Sequence, residues 1–223
     1  MNISANNLPT HELVYRRIRE LILSGELAPG QSVTIHGLVS ELGVGVTPVR
    51  EAIRRLMAEG ALEFRGNRRI CLPILSSDLL DEVSFARKSI EPHLAYLATK
   101  RLQNKDIDQL YQIDEALNGA IASGDVRGYL QHNGQFHETL YAHSDARILM
   151  AISKSLWLRV GPSLRVVCGR FGTANLPDKH SEALAAMREG DAQGVADSIE
   201  ADIEQGHEAI RRSLSIGNTR DVD

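Results

Sequence analysis

Thr47-Pro48-Val49-Arg50-Glu51-Ala52-Ile53-Arg54-Arg55-Leu56-Met57, stopped by Gly60, is the stretch on which the fold turns. Val49, Ala52, Ile53, Leu56 and Met57 fall at i, i+3, i+4, i+7 and i+8, the spacing of one buried helical stripe. Thr47 reads as the N-cap and Pro48 as the first helical residue, where a missing N–H costs nothing. With the stripe turned inward, Arg50 and Arg54 project together from the outer face. Such a helix can enter a major groove: its N-terminal N–H groups favour a phosphate, and an arginine fork matches a guanine edge. The residues alone leave a plainer reading open, in which Arg50 pairs with Glu51 or Glu12 on a solvated face.

On the N-terminal side, a first helix is expected from about Pro9 to Ser24, with Leu13, Val14, Ile18, Leu21 and Ile22 inward. Gly25 and the Ala28-Pro29-Gly30 turn end it. Thr34 can cap a short second helix carrying Ile35, Leu38, Val39 and Leu42, closed by Gly43. On the C-terminal side, Ala61 to Phe64 and Ile70 to Leu72 are strand candidates around the tip Arg65-Gly66-Asn67-Arg68-Arg69. Three helices followed by a basic hairpin make a winged helix-turn-helix over residues 1–75. Its expected DNA contacts are Thr47, Arg50, Arg54, His36, Arg68 and Arg69.

The whole chain, 223 residues at 43% hydrophobic and 24% charged, can bury a core and is not mainly disordered. Aromatics at 4% argue against a base-stacking RNA module. The net charge of −4 hides a split: residues 1–75 hold nine Arg, no Lys, seven Glu and no Asp, whereas the remainder carries a net −6. Arg50, Arg54, Arg55, Arg65, Arg68 and Arg69 concentrate positive charge where phosphates would be met. The sequence shows no membrane-length apolar run and no secretory leader, so a cytoplasmic location is expected. Cys71 and Cys168 form neither a disulfide framework nor a metal knuckle.

From Ser76 the pattern is helical throughout, so the fold class is mainly α. Helices are expected at about 77–103, 105–123, 126–143, 146–168, 178–189 and 192–214, an antiparallel bundle over residues 76–223. Pro92 and Gly161-Pro162 are expected to kink or split two of them. Asn133 and His137 share one helical face beside Phe136 and Leu140, and His180 is in phase with Ala183, Leu184 and Met187. Asp202 flanks the Ile199/Ile203 stripe, and His207 follows four residues after Ile203. Neutral imidazoles with an Asn or Asp oxygen can make a divalent-metal site. Inward histidines can equally be hydrogen-bonded core residues.

The stretch Gly43-Val44-Gly45-Val46-Thr47-Pro48-Val49-Arg50-Glu51-Ala52-Ile53 resembles the recognition segment of GntR-family transcriptional regulators, and Leu27-Ala28-Pro29-Gly30 matches their turn after the first helix. Gly45 and Val46 stand where that family has Ser and Arg, which implies an altered operator preference, and Arg69 replaces a common wing glycine, which implies a returned phosphate contact. The second half resembles the FCD domain of the FadR subgroup. Arg87-Lys88-Ser89-Ile90-Glu91 matches the Arg-x-x-x-Glu start of its bundle. Asn133-Gly134-Gln135-Phe136-His137 matches its metal motif, and His180 matches the next metal histidine. The family's last histidine falls where this sequence has Asp202; His207, five residues on, is about 140° around the helix. The resemblance implies a divalent ion (zinc, nickel or manganese) on Asn133, His137, His180 and Asp202, with His207 in reserve. It also implies a small carboxylate effector anchored by the metal and Arg87, with Arg159 and Arg165 as further candidates and Tyr129 and Trp157 as pocket walls.

These readings lead to a ligand-responsive regulator, a repressor binding a palindromic operator as a homodimer. Two alternatives from other classes stay open on sequence: a metal-dependent hydrolase, against which stands the lack of an obvious general base or HExxH motif, and a helical interaction module that binds no DNA.

Overall fold

The computed structural model describes residues 9–66, 69–171 and 179–218. The first part, the head, contains α1 (Thr10–Leu23), β1 (Ser32–Val33), α2 (Ile35–Leu42), α3 (Val46–Ala58), β2 (Glu63–Arg65) and β3 (Arg69–Cys71). The second, the bundle, contains α4 (Ser77–Thr99), α5 (Asn104–Ser123), α6 (Val126–Ala142), α7 (Arg147–Phe171), α8 (His180–Glu189) and α9 (Ala192–Asn218). Among the described residues no helix is long and apolar enough to cross a membrane.

The head forms around the stripes read from its sequence, except that Leu13, expected inward, is exposed and Tyr15 is buried in α1 instead. Val14, Ile18, Leu21 and Ile22 of α1 bury against Val49, Ala52, Ile53 and Leu56 of α3, and each fully buried aliphatic side chain contributes roughly 1.5–3 kcal/mol. Thr34 caps α2 as expected, its hydroxyl accepting from the Gly37 N–H at 3.0 Å. Thr47 does not cap α3. The helix begins at Val46, two residues earlier than expected, with Gly45 as N-cap and no side-chain cap. Pro48 is therefore third in the helix, still among the four leading residues whose N–H has no intrahelical acceptor. The hairpin of β2 and β3 pairs Phe64 with Ile70 and Arg65 with Arg69. A third strand, β1, adds to its other side through Ser32–Cys71 and Val33–Ile70, giving the order β1-β3-β2. Two residues are too few for an alternating pattern to be read, so this strand gave no sequence signal.

In the bundle, Ser76 caps α4, Asp125 caps α6, and Gln103 with Asp106 forms a capping box on α5. Pro92 and Pro162 lie inside α4 and α7, and neither splits its helix. The expected boundary at Asn175 to Asp178 lies outside the described residues. Two apolar clusters fill the bundle, one around Leu94, Leu110, Phe136, Leu140 and Ile199, the other around Leu80, Val83, Leu117, Leu164 and Ile210. Beside these clusters α4, α6 and α9 carry polar residues: Arg87 and Glu91, Asn133 and His137, and Asp202.

The head rests on α7. Leu158 joins the head's core, Ser155 Oγ donates to the Glu59 carbonyl at 2.9 Å, and the Arg165 guanidinium donates to the Gly25 carbonyl. Gly60, just past α3, has φ 72°, and a Cβ there would run into the Arg159 guanidinium. Gly60→Ala is expected to cost about 1–2 kcal/mol from the left-handed backbone alone, plus whatever displacing Arg159 adds. Gly43, at φ 64° with nothing within 4 Å of an added Cβ, supplies the comparison. Gly43→Ala should lower the melting temperature by roughly 2–8 °C and Gly60→Ala by more, the difference measuring the Arg159 contact.

Candidate functional site

Two surfaces carry the chemistry. The first is the outer face of the head. Thr47, Arg50 and Arg54 on α3, His36 on α2 and Arg69 on β3 are all exposed. His36, Arg50 and Arg69 line one concavity with Val46 and Ile70, so recognition helix and wing present their cations together. Arg68 lies outside the described residues. The solvated-pair reading of Arg50 has no counterpart in the geometry. Glu51 lies 3.8 Å from His11, and Glu12 is bound by Arg16 at 3.0 Å and Arg55 at 2.7 Å. Among the described residues Arg50, Arg54 and Arg69 form no ion pair. Arg55 differs: it also binds Glu59 at 3.1 Å and lies 3.6 Å over the Tyr15 ring. Its charge serves the head's own packing.

The second surface is buried in the polar seam of the bundle. His137 from α6, His180 at the start of α8 and Asp202 from α9 bring their ligand atoms within 4.8 Å of one another. His137 Nε2 lies 3.2 Å from Asp202 Oδ2 and 3.2 Å from His180 Nε2. Both rings are fixed from behind. Asp114 Oδ1 lies 3.2 Å from His180 Nδ1, and since a carboxylate only accepts, the proton sits on Nδ1. The Tyr141 hydroxyl donates to Glu91 Oε2 at 3.0 Å, so its oxygen accepts from His137 Nδ1 at 3.0 Å. Phe136 stacks on the His180 ring at 3.9 Å. Both Nε2 lone pairs therefore turn toward the Asp202 carboxylate. A cation shared by these three groups would satisfy both lone pairs and the carboxylate at once.

The spacing suits such an ion: two imidazole nitrogens ~2.0–2.1 Å from one tetrahedral zinc lie roughly 3.3 Å apart. The protonation states agree. Burial holds the His137 imidazole below its ordinary range, outweighing the attraction of Asp202. Burial opposes the Asp202 charge, but the contact with His137, aided by His180 and Arg87, holds its carboxyl at about 2. At neutral pH both residues are in their ligand forms.

Of the other sequence-expected ligands, Asn133 is buried one turn before His137 and lines a cavity with Asp202, Arg87, Tyr129 and Trp157. His207 is not in the group; its Nε2 lies 2.8 Å from Asp81 Oδ1 on α4, as its different angular position on α9 requires. Arg87 reaches the cavity wall, with Nε and Nη2 each donating to Glu91 at 3.0 Å, which uses two of its five N–H groups. Arg159 and Arg165 do not reach the cavity. Both sit on the face of α7 that carries the head, at Gly60 and Gly25. The cavity holds about 30 Å³, room for water but not for an organic acid.

Glu91, Tyr141, Ser153 and Asp114 complete the site and were not singled out as functional from the sequence. Glu91 is fully buried and accepts from Arg87, Tyr141 and, at 3.2 Å, Ser153. The available signal was a carboxylate within an apolar stripe, Glu91 before Leu94 and Asp114 between Leu110 and Leu117, where a charge requires a partner.

Comparison with known proteins finds a family match for each half of the chain. Residues 10–71 match the family described as bacterial regulatory proteins, gntR family, and residues 82–205 match the FCD domain. The HTH-type transcriptional regulator McbR of Escherichia coli (strain K12) is 31% identical over 190 residues, 83% of this chain and 85% of that protein. The Nta operon transcriptional regulator of Aminobacter aminovorans is 25% identical over 207 residues, 91% of this chain and 97% of its own. The solved structure of E. coli McbR/YncC superposes with a TM-score of 0.86 at 26% identity, covering 93% of this chain and 99% of that one. These relatives are regulators rather than enzymes, which removes the hydrolase reading. From the free cations of its head to the FCD match across its bundle, the chain belongs to the gntR family of bacterial regulatory proteins and is a DNA-binding transcriptional regulator.

Proposed function

We propose that the protein is a cytoplasmic, ligand-responsive repressor that binds a palindromic operator as a homodimer, with residues 1–75 reading DNA and residues 76–223 sensing the ligand. One recognition helix reads few bases, and a two-fold pair of heads supplies the specificity that one lacks. Repression is the simpler assignment because a bound protein can block transcription with no contact beyond its operator. The observation that carries the sensing half is the convergence of the two Nε2 atoms and the Asp202 carboxylate. His137, His180 and Asp202 would hold a divalent ion, with Asn133 beside them. When bound, that ion supplies a Lewis-acidic position for a small carboxylate, and the uncommitted N–H groups of Arg87 provide a second anchor. The cavity must widen to admit an effector. That requirement links binding to a conformational change, which regulates only if the effector prefers one arrangement of the heads.

The test is a thermal titration of chelator-stripped protein with zinc, nickel or manganese. At a hundredfold excess over Kd the expected stabilisation is about 2.7 kcal/mol, a rise of roughly 5–11 °C. His137→Ala and Asp202→Asn should each abolish the response, and His207→Ala should keep it. The response should shrink on acidification, because both imidazoles must be neutral to bind. Burial lowers His137, so the decline should begin below the ordinary imidazole range. A flat titration with all three ions, or an unaltered one in His137→Ala and Asp202→Asn, would overturn the metal reading.

A further inference from the structure

A second concavity, of about 400 Å³, lies between the head and the bundle. Its lining is apolar where Leu23 of α1, Leu130 of α6 and Met150 and Trp157 of α7 meet. Its rim is charged. The Glu138 carboxylate is contacted by Arg19 of α1 at 3.3 Å and Lys154 of α7 at 2.9 Å, two cations on one anion. The other charged groups of the cleft, Arg16 and Glu20, have their own partners in Glu12 and Arg17. One positive charge is therefore left in excess beside an apolar surface. The cleft is separate from the metal-ligand cavity. Tyr141, Ser153 and Trp157 form part of its wall, and the first two bind Glu91 on the other side.

We propose that this cleft binds a small amphipathic organic anion and that occupancy fixes the DNA-binding head against the bundle. The apolar body of the ligand lies on Leu130, Met150 and Trp157. Its acid group takes the charge that Glu138 leaves over between Arg19 and Lys154. A volume of about 400 Å³ lies within the ~300–1,000 Å³ of sites that enclose small molecules. Because α1 supplies Arg19 and Leu23, the ligand touches both domains at once and changes the energy of moving one against the other. The site needs no metal. Only its effect on DNA rests on the reading of the head, and the two are measured separately.

The probe is 8-anilinonaphthalene-1-sulfonate, a bicyclic monoanion, with energy transfer from Trp157, the single tryptophan of the chain. The full-length protein should bind one dye per chain saturably, with sensitised emission on tryptophan excitation. Gly134 lines the cleft, and a Cβ added there meets nothing within 4 Å. Gly134→Leu therefore adds bulk to the cleft wall from a Cβ position that is itself unobstructed, and leucine is the better helix former. It should weaken the dye at least tenfold while the melting temperature does not fall. Lys154→Met should weaken the dye about tenfold and leave the uncharged N-phenyl-1-naphthylamine unaffected. Chelator and saturating zinc should each leave dye affinity unchanged. Undiminished binding to Gly134→Leu, equal losses of both dyes in Lys154→Met, or displacement by zinc would overturn the site. With the dye saturating, affinity for duplex DNA at fixed salt should shift in the wild type and not in Gly134→Leu. Identical shifts, or none, would overturn the coupling to the head.

Discussion

Replacing Glu91 with alanine is expected to lower the melting temperature by roughly 6–20 °C. Glu91 is fully buried and answers three donors: Arg87 through two bonds of 3.0 Å, Tyr141 at 3.0 Å and Ser153 at 3.2 Å. Arg87 is itself buried, and the Glu91 carboxylate helps raise its pKa above the ordinary value against the opposing effect of burial. A guanidinium is not deprotonated in proteins, so Arg87 stays charged when the carboxylate is lost. Removing one member of a buried pair leaves an uncompensated charge, a loss of about 3–5 kcal/mol, and a chain of this size loses about 2–4 °C per kcal/mol. Removing both charges in Glu91→Gln with Arg87→Met should restore much of the stability, since such pairs can be exchanged for apolar packing at little net cost. The same single substitution releases Tyr141, whose hydroxyl keeps the His137 proton on Nδ1. Metal affinity should then fall 10–100-fold, even at temperatures where Glu91→Ala is folded. Calorimetry and metal titration on the single and double variants read the two effects. A Glu91→Ala protein as stable as the wild type would mean that the seam is solvated.

The largest functional effect is expected from Arg50→Ala. A bidentate arginine–guanine contact is worth about 1–3 kcal/mol of discrimination. The proposed homodimer makes it twice, so operator affinity should fall roughly 30-fold to more than 10,000-fold. Affinity for random duplex should fall far less. What it loses is one phosphate-neutralising charge per head, seen as a shallower dependence on salt. Arg55→Ala is the contrast. Its guanidinium is held by Glu12, Glu59 and Tyr15, so its loss should appear in the melting temperature and leave discrimination between duplexes intact. Fluorescence anisotropy on a duplex selected from a random library, with a shuffled control, measures both. Equal losses on the two duplexes would reduce Arg50 to a phosphate contact, and no loss on either would favour the interaction-module reading.

The helices were legible because each carries a stripe at helical spacing closed by a glycine or a capping side chain. Gly43, Gly124 and Gly190 all stop their helices in the left-handed conformation. The wing was legible as a hairpin but its third strand was not. Of the buried cluster, the sequence offered His137, His180 and Asp202 largely through family resemblance. Spacing along separate helices cannot say whether three side chains meet. Asp114 and His180 are 66 positions apart and 3.2 Å from each other, a contact that exists only once α5 and α8 have packed. Arg159 and Arg165 were misplaced for the same reason. Both lie on a helix that borders the cavity, but helical phase relative to two different neighbours decides which one an arginine meets.

That helix, α7, is the element through which the proposed sensing half would act on the head. Within residues 153–159 it supplies Ser153 to Glu91, Ser155 to the Glu59 carbonyl, Trp157 to the ring of His137 at 5.0 Å, and Arg159 beneath Gly60. Two turns of one rod thus bear on the histidine cluster and on the last residues of the reading helix. No relay of successive displacements has to be assembled between them. A slide of 1–2 Å along the rod axis, ordinary for packed helices, would act directly on the Glu59 carbonyl through Ser155. In the proposed homodimer, whose heads would span about 34 Å of duplex, strokes of that size in both heads would shift one half-site reader against the other.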